Sequence, residues 1–167
     1  MSVLGRRAPR LVLPRGERLL AVARTEDGLL VGGSRNALHA GAPGEAPTAS
    51  LAWERVQAAD WDAETGELVV AEVGTWGEER VVHRWRPVDA GRLLQLVRER
   101  VTASVVLQRH RKVVGERGVR VVVRRAPSGA GEPEWFVEFD TGLDPADPAV
   151  RAAAQDLLAE ARGLVGR

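Results

Sequence analysis

The spacing of apolar residues changes at Pro87-Val88-Asp89, and that change constrains the fold more than any other feature of the chain. Before it, apolar residues come in short runs broken by turn residues. After it, Leu93, Leu96, Val97, Arg100 and Val101 recur at steps of three and four, the spacing of one helix face. The first part therefore reads as strands over 18–24, 29–31, 37–40, 50–53, 56–62, 67–73 and 80–86. Glu26-Asp27-Gly28 is a tight hairpin signal, because Asp and Gly tolerate positive φ. The run Asp62-Ala63-Glu64-Thr65-Gly66 suits a type I turn with Gly66 in a left-handed position. Residues 41–48 and 74–79 read as loops. Pro87 stops the last strand, and Asp89 is expected to cap a helix running to about Val101.

A smaller unit follows. Residues 104–114 are apolar and then charged. The β-branched pair Val105-Val106 favours a strand over a continued helix. Val119, Val121 and Val123 share one face of a second strand, and Trp135, Val137 and Phe139 share one face of a third. Asp147 followed by Pro148 opens a terminal helix with its apolar stripe at Val150, Ala154, Leu157, Leu158, Ala161, Leu164 and Val165. The expected organisation is an N-terminal arm over 1–16, an all-β unit closed by a helix over 17–102, and a β-β-β-α unit over 103–167. About 65 residues form a marginal core alone, so the last unit is expected to share a core with the first.

Seven short strands and a closing helix, with Gly33-Ser34-Arg35-Asn36-Ala37-Leu38 as second hairpin and Ala52-Trp53-Glu54-Arg55-Val56 leading into the fifth strand, resemble the bacterial pleckstrin-homology-like families. The resemblance covers Glu17 to about Val101. It implies an α+β, mainly β fold: a seven-stranded antiparallel barrel or sandwich capped by a helix. A five-stranded OB-like barrel has too few strands for this pattern. Lipid-binding members of such families carry basic residues around the first hairpin. Here Glu26 and Asp27 occupy that turn, so phosphoinositide binding is not expected, and what remains is a protein-interaction role.

The residue inventory excludes more than it suggests. The chain has no cysteine, which removes disulfides, thiolate nucleophiles and Cys-based zinc sites and fits a cytoplasmic address. Lys112 is the only lysine and does not sit in a Gly-Lys-Ser/Thr phosphate loop. Gly-x-Ser-x-Gly and Gly-x-Gly-x-x-Gly are both missing. His39, His83 and His110 lie far apart in sequence without metal-ligand spacing, and each reads as a sheet-surface or edge residue. Asp60, Asp62 and Glu64 depart from a calcium loop because Thr65 stands where the EF-hand needs Gly. No catalytic residue, metal or cofactor is expected, nor a signal peptide or membrane insertion. Twenty-three Arg and one Lys, with abundant Ala, Val and Gly, are a compositional bias that suggests a GC-rich bacterial genome.

Twenty-four basic against 23 acidic residues give a net charge of +1, which predicts no strong overall pull toward nucleic acid. Locally, residues 98–125 hold nine basic and two acidic side chains. Arg109, Arg111, Lys112, Arg120 and Arg124 are the candidate anion-binding residues, for nucleic acid or another anionic surface. The favoured reading pairs them instead with the acids that follow, from Glu132 to Asp147. Among the tryptophans, Trp61 and Trp85 read as core. Trp53, at a strand end, and Trp76, in a loop without apolar neighbours, are the candidate interaction residues. The sequence thus points to a non-enzymatic interaction or scaffolding module that binds another protein or itself.

Overall fold

The computed structural model describes residues 8–75 and 77–166. The chain is α+β and mainly β, with antiparallel sheets and two helices. In chain order the strands are β1 (Ala21–Thr25), β2 (Leu30–Gly33), β3 (Ala37–Gly41) and β4 (Ala49–Ala52), then a 3-10 turn at Trp53–Arg55. Next come β5 (Val56–Asp62), β6 (Glu67–Glu72), β7 (Val82–Trp85), β8 (Pro87–Val88) and helix α1 (Gly91–Ser104). Strands β9 (Val105–Val114), β10 (Arg117–Arg124) and β11 (Glu134–Phe139) lead to helix α2 (Pro148–Val165).

The first unit has two sheets rather than a closed barrel. One runs β4-β3-β2-β1-β8 and the other β5-β6-β7. The expected seventh strand is split: Val82–Trp85 pairs with β6, and Pro87-Val88 crosses over to pair with β1. The proline ends the strand as expected. Its missing N–H costs nothing there, because β8 is an edge strand.

Helix α1 packs against β1, β2, β5 and the 3-10 turn, and so touches both sheets. Its buried face is Leu93, Leu96 and Val97, as the periodicity requires. They join Val31, Leu38, Trp53, Val56, Leu68 and Val70 in one core. A glycine makes the close packing possible: a Cβ on Gly33 would stand 2.6 Å from Leu96 Cδ2 and 3.0 Å from Trp53 Cζ2. The expected cap is corrected. Ala90 occupies the N-cap position without a side-chain bond, while Asp89 sits at φ 56° in the turn before it. A short polar side chain is among those that tolerate that left-handed backbone.

The last three strands form a sheet in the order β11-β10-β9, with α2 on one face. Asp147 caps α2 by accepting from the Ala149 N–H at 2.8 Å, with Pro148 in the first turn. Val121, Val123, Leu157 and Ala161 make a second buried cluster, separate from the first. Strand alternation aims Val119, Val121 and Val123 at α2 and turns Arg120, Val122 and Arg124 toward the first unit. The junction is accordingly largely polar. Arg124, 5% exposed, donates from Nη1 to Ser104 Oγ and from Nη2 to the Gln57 carbonyl, both at 3.2 Å. Burial pulls its guanidinium below the usual arginine range, against a smaller opposing pull from Glu138.

Candidate functional site

A cleft of 500 Å³ lies at this junction. Its walls are the start of β5, the segment after β6, and β11 from Trp135 to Phe139. Local chemistry fixes the walls. Arg55, at the end of the 3-10 turn, reaches Glu134 at 2.7 Å and lies over the Phe136 ring at 5.8 Å from its centroid. Gln57 Nε2 donates to Glu138 Oε1 at 2.7 Å, and Arg120 Nη1 stands 3.8 Å from Glu138 Oε2. Glu138 is thus engaged from both units. Arg80 and Glu78 add one charge of each sign to the opposite wall.

The cleft also exposes backbone. Among the described residues β11 pairs only with β10, so its second edge is open. The Asp140 N–H donates to the Gly118 carbonyl of the strand on its paired side. In an antiparallel ladder the direction of N–H and C=O alternates residue by residue. Glu134, Phe136 and Glu138 therefore face β10, whereas Trp135, Val137 and Phe139 point their backbone groups out of the open edge. Such an edge can accept another strand. Chemically, the arrangement offers a ladder of main-chain donors and acceptors between an apolar face and a charged one.

The candidate residues read from the sequence fall in several places. Trp53 is corrected from interaction candidate to core: it is 0% exposed, and its indole N–H donates to the Ser34 carbonyl at 3.0 Å. The 3-10 turn after β4 swings it inward, where alternation alone leaves it at an exposed strand end. Trp76 lies outside the described residues, although its neighbours Thr75 and Gly77 line the cleft. Trp61, read as core, is 40% exposed near the open end of β5. Trp85 packs against the core and stacks on His83 at 5.3 Å.

The five candidate anion-binding residues do not form one surface. Register places Arg109 and Arg111 on the α2 face, and Lys112, Arg120 and Arg124 on the face toward the first unit. Arg111 pairs with Glu160 at 2.8 Å, Lys112 with Glu116 at 2.6 Å, and Arg124 is buried. Of these five, Arg111, Lys112 and Arg120 each meet a carboxylate.

Sequence reasoning missed one polar network. His39, expected at the surface, is 5% exposed and stands 3.1 Å from Ser34 Oγ and 2.8 Å from Ser50 Oγ. Burial pushes its imidazole below the usual histidine range, and Glu17 nearby pulls weakly the other way. Ser34 Oγ also accepts from the Ala37 N–H at 3.2 Å, so it serves the β2–β3 turn. The signal was faint, because His39 and Ser50 meet only through the β3–β4 register. The other histidines sit beside carboxylates, His83 at 3.6 Å from Glu72 and His110 at 3.1 Å from Asp140.

Among the described residues, no group of three or more His, Asp or Glu side chains could hold a metal ion. No described helix is long and apolar enough to cross a membrane. No family model matches the chain, and no curated protein aligns with it.

Proposed function

We propose that the chain is a pleckstrin-homology-like interaction module that binds an extended segment of another protein along the open edge of β11, without catalysing a reaction. The reading rests on one observation: the outward backbone groups of Trp135, Val137 and Phe139 line the cleft at the junction. Strand addition uses such groups for affinity and the flanking side chains for selectivity. The order of strands before α1, and the contact of α1 with both sheets, support the pleckstrin-homology-like part. The five candidate anion-binding residues are divided between two faces, and Arg111, Lys112 and Arg120 each have a carboxylate, which argues against the nucleic-acid alternative.

The test is selection of binders from a displayed library of linear peptides, followed by titration of the winners against two variants. Val137→Pro removes an outward N–H and is tolerable on an edge strand. It should weaken binding at least tenfold with little change in melting temperature. Phe136→Pro removes an N–H bonded to β10 and should destabilise the fold instead. Unchanged peptide affinity in Val137→Pro would overturn the reading. A concentration-dependent dimer lost in the same variant would assign the edge to a second copy of the chain.

A further inference from the structure

A second cavity, 460 Å³ in volume, lies away from the β11 cleft and gathers three arginines from three parts of the chain. Arg18 comes from the segment before β1, Arg35 from the turn between β2 and β3, and Arg100 from α1. Gly16, Leu20 and Asn36 complete the wall with Glu17. The fold fixes this convergence. The Leu20 N–H donates to the Gly33 carbonyl at 2.7 Å, which holds the 16–20 segment beside the end of β2. Leu96 packs against Gly33, and Arg100 follows it one helical turn later.

None of the three arginines forms an ion pair with a described carboxylate. Glu17 contributes the only negative charge, and it is directed at the β2–β3 turn, where Oε1 accepts from the Asn36 side-chain amide. Hydrogen bonds from Ser34 and Asn36 hold its carboxyl below the usual range, so it stays ionised. Three positive charges and one negative leave the cavity at +2. This contrasts with the β9–β11 sheet, where Arg111, Lys112 and Arg120 each have a carboxylate. Guanidinium groups present paired donors that match phosphate oxygens, and several around one concavity attract a multiply charged anion.

We infer that the cavity formed by Arg18, Arg35 and Arg100 binds a small organic phosphate carrying at least two negative charges. The three charges supply the affinity, the Asn36 amide adds a donor, and Leu20 offers an apolar wall for the organic part. The volume lies within the range of small-molecule sites, about 300–1,000 Å³. A nucleic acid would need a longer basic track than one concavity provides. The inference is independent of the β11 edge and stands or falls separately.

Inorganic pyrophosphate is the probe. It is titrated into the full chain at low ionic strength by calorimetry and by the arginine side-chain NMR signals. Saturable one-to-one binding is expected, with the Arg18, Arg35 and Arg100 signals shifting. Arg35→Gln and Arg100→Gln should each weaken it at least fivefold, while Arg109→Gln on the other sheet leaves it unchanged. Melting temperatures of all three variants should match the parent, because these side chains are not part of the core. An organic monophosphate that binds more tightly than inorganic phosphate would show that the apolar wall contributes. Absence of saturable binding overturns the inference, and so does equal weakening by Arg109→Gln, which would indicate a general field. Binding of a DNA or RNA duplex through the same arginines, with none of pyrophosphate, would also overturn it.

Discussion

The Nη2 of Arg124 donates to the main-chain carbonyl of Gln57 at 3.2 Å, so a buried cation of β10 holds the edge strand of the first unit. The same guanidinium reaches Ser104 at the end of α1. One side chain thereby links three elements that are distant in sequence. Arg124→Ala removes both bonds and leaves a hole at the junction. It should cost about 2 kcal/mol, since hydrogen bonds from charged groups are worth roughly 1.5–3 kcal/mol and relief of the buried charge offsets part of the loss. The check is a thermal melt, where the midpoint should fall by about 4–8 °C for a chain of this size.

Trp53 is the largest fully buried side chain among the described residues, packed between the sheets and α1. Trp53→Ala should cost about 3–5 kcal/mol, the range for emptying a large aromatic site in a core. Urea unfolding followed by far-ultraviolet circular dichroism measures it. A loss below about 1 kcal/mol would contradict its placement in the core.

Gly118 sits where β9 is irregular opposite β10. A Cβ there would stand 1.9 Å from the Arg111 carbonyl oxygen, a backbone atom that cannot rotate away. Gly118→Ala should therefore destabilise the fold by about 2 kcal/mol or more, whereas alanine normally stiffens a chain favourably by about 0.4–1 kcal/mol. Gly91→Ala is the control, because no atom lies within 4 Å of a Cβ at that helical position. Denaturation of the two variants side by side should give changes of opposite sign.

His39 predicts a pH dependence. Its folded imidazole titrates lower than in the unfolded chain, so it stays neutral where the unfolded state has begun to bind a proton. Its contribution to stability is full above about pH 6.5, the unfolded value, and is lost progressively as the pH falls toward the folded one. The carboxyls of Glu17, Asp62 and Asp140 also titrate low when folded, through hydrogen bonds from Ser34 and Asn36, from the Thr65 and Glu64 backbone, and from the Gly118 backbone and His110. Their share is lost at more acid pH, below the ordinary carboxylate range. Stability measured from pH 8 to pH 3 should decline in two phases, and His39→Gln should remove the first. A parent protein with constant stability between pH 7 and pH 5 would contradict this.

Arg120 faces Glu138 across the β10–β11 register. Arg120→Glu sets two carboxylates opposite each other and should cost roughly 1 kcal/mol, the scale of a reversed cross-strand pair. Adding salt should recover part of it through screening, visible as a smaller difference in melting temperature at high ionic strength.

Most elements were legible in the sequence because their signals are local. The α1 stripe at Leu93, Leu96 and Val97, the strand at 105–114, and Asp147-Pro148 before α2 each depend on residues within a few positions of one another. What sequence left open depends on partners far along the chain. Alternation cannot say which strand ends a sheet, so the open edge of β11 appears only once β10 is seen to pair with it and β9. Nor can a tryptophan's own neighbours tell whether it meets a core: Trp53 does, through a 3-10 turn, and Trp61 lies half open at the end of β5. The arginines show the same division. Composition counted their charge, but register decided that Arg111 meets Glu160 and Arg124 meets Gln57, and packing brought Arg18, Arg35 and Arg100 to one cavity. Periodicity is a property of neighbouring residues, whereas strand edges, burial and charge pairing belong to distances that only the folded chain sets.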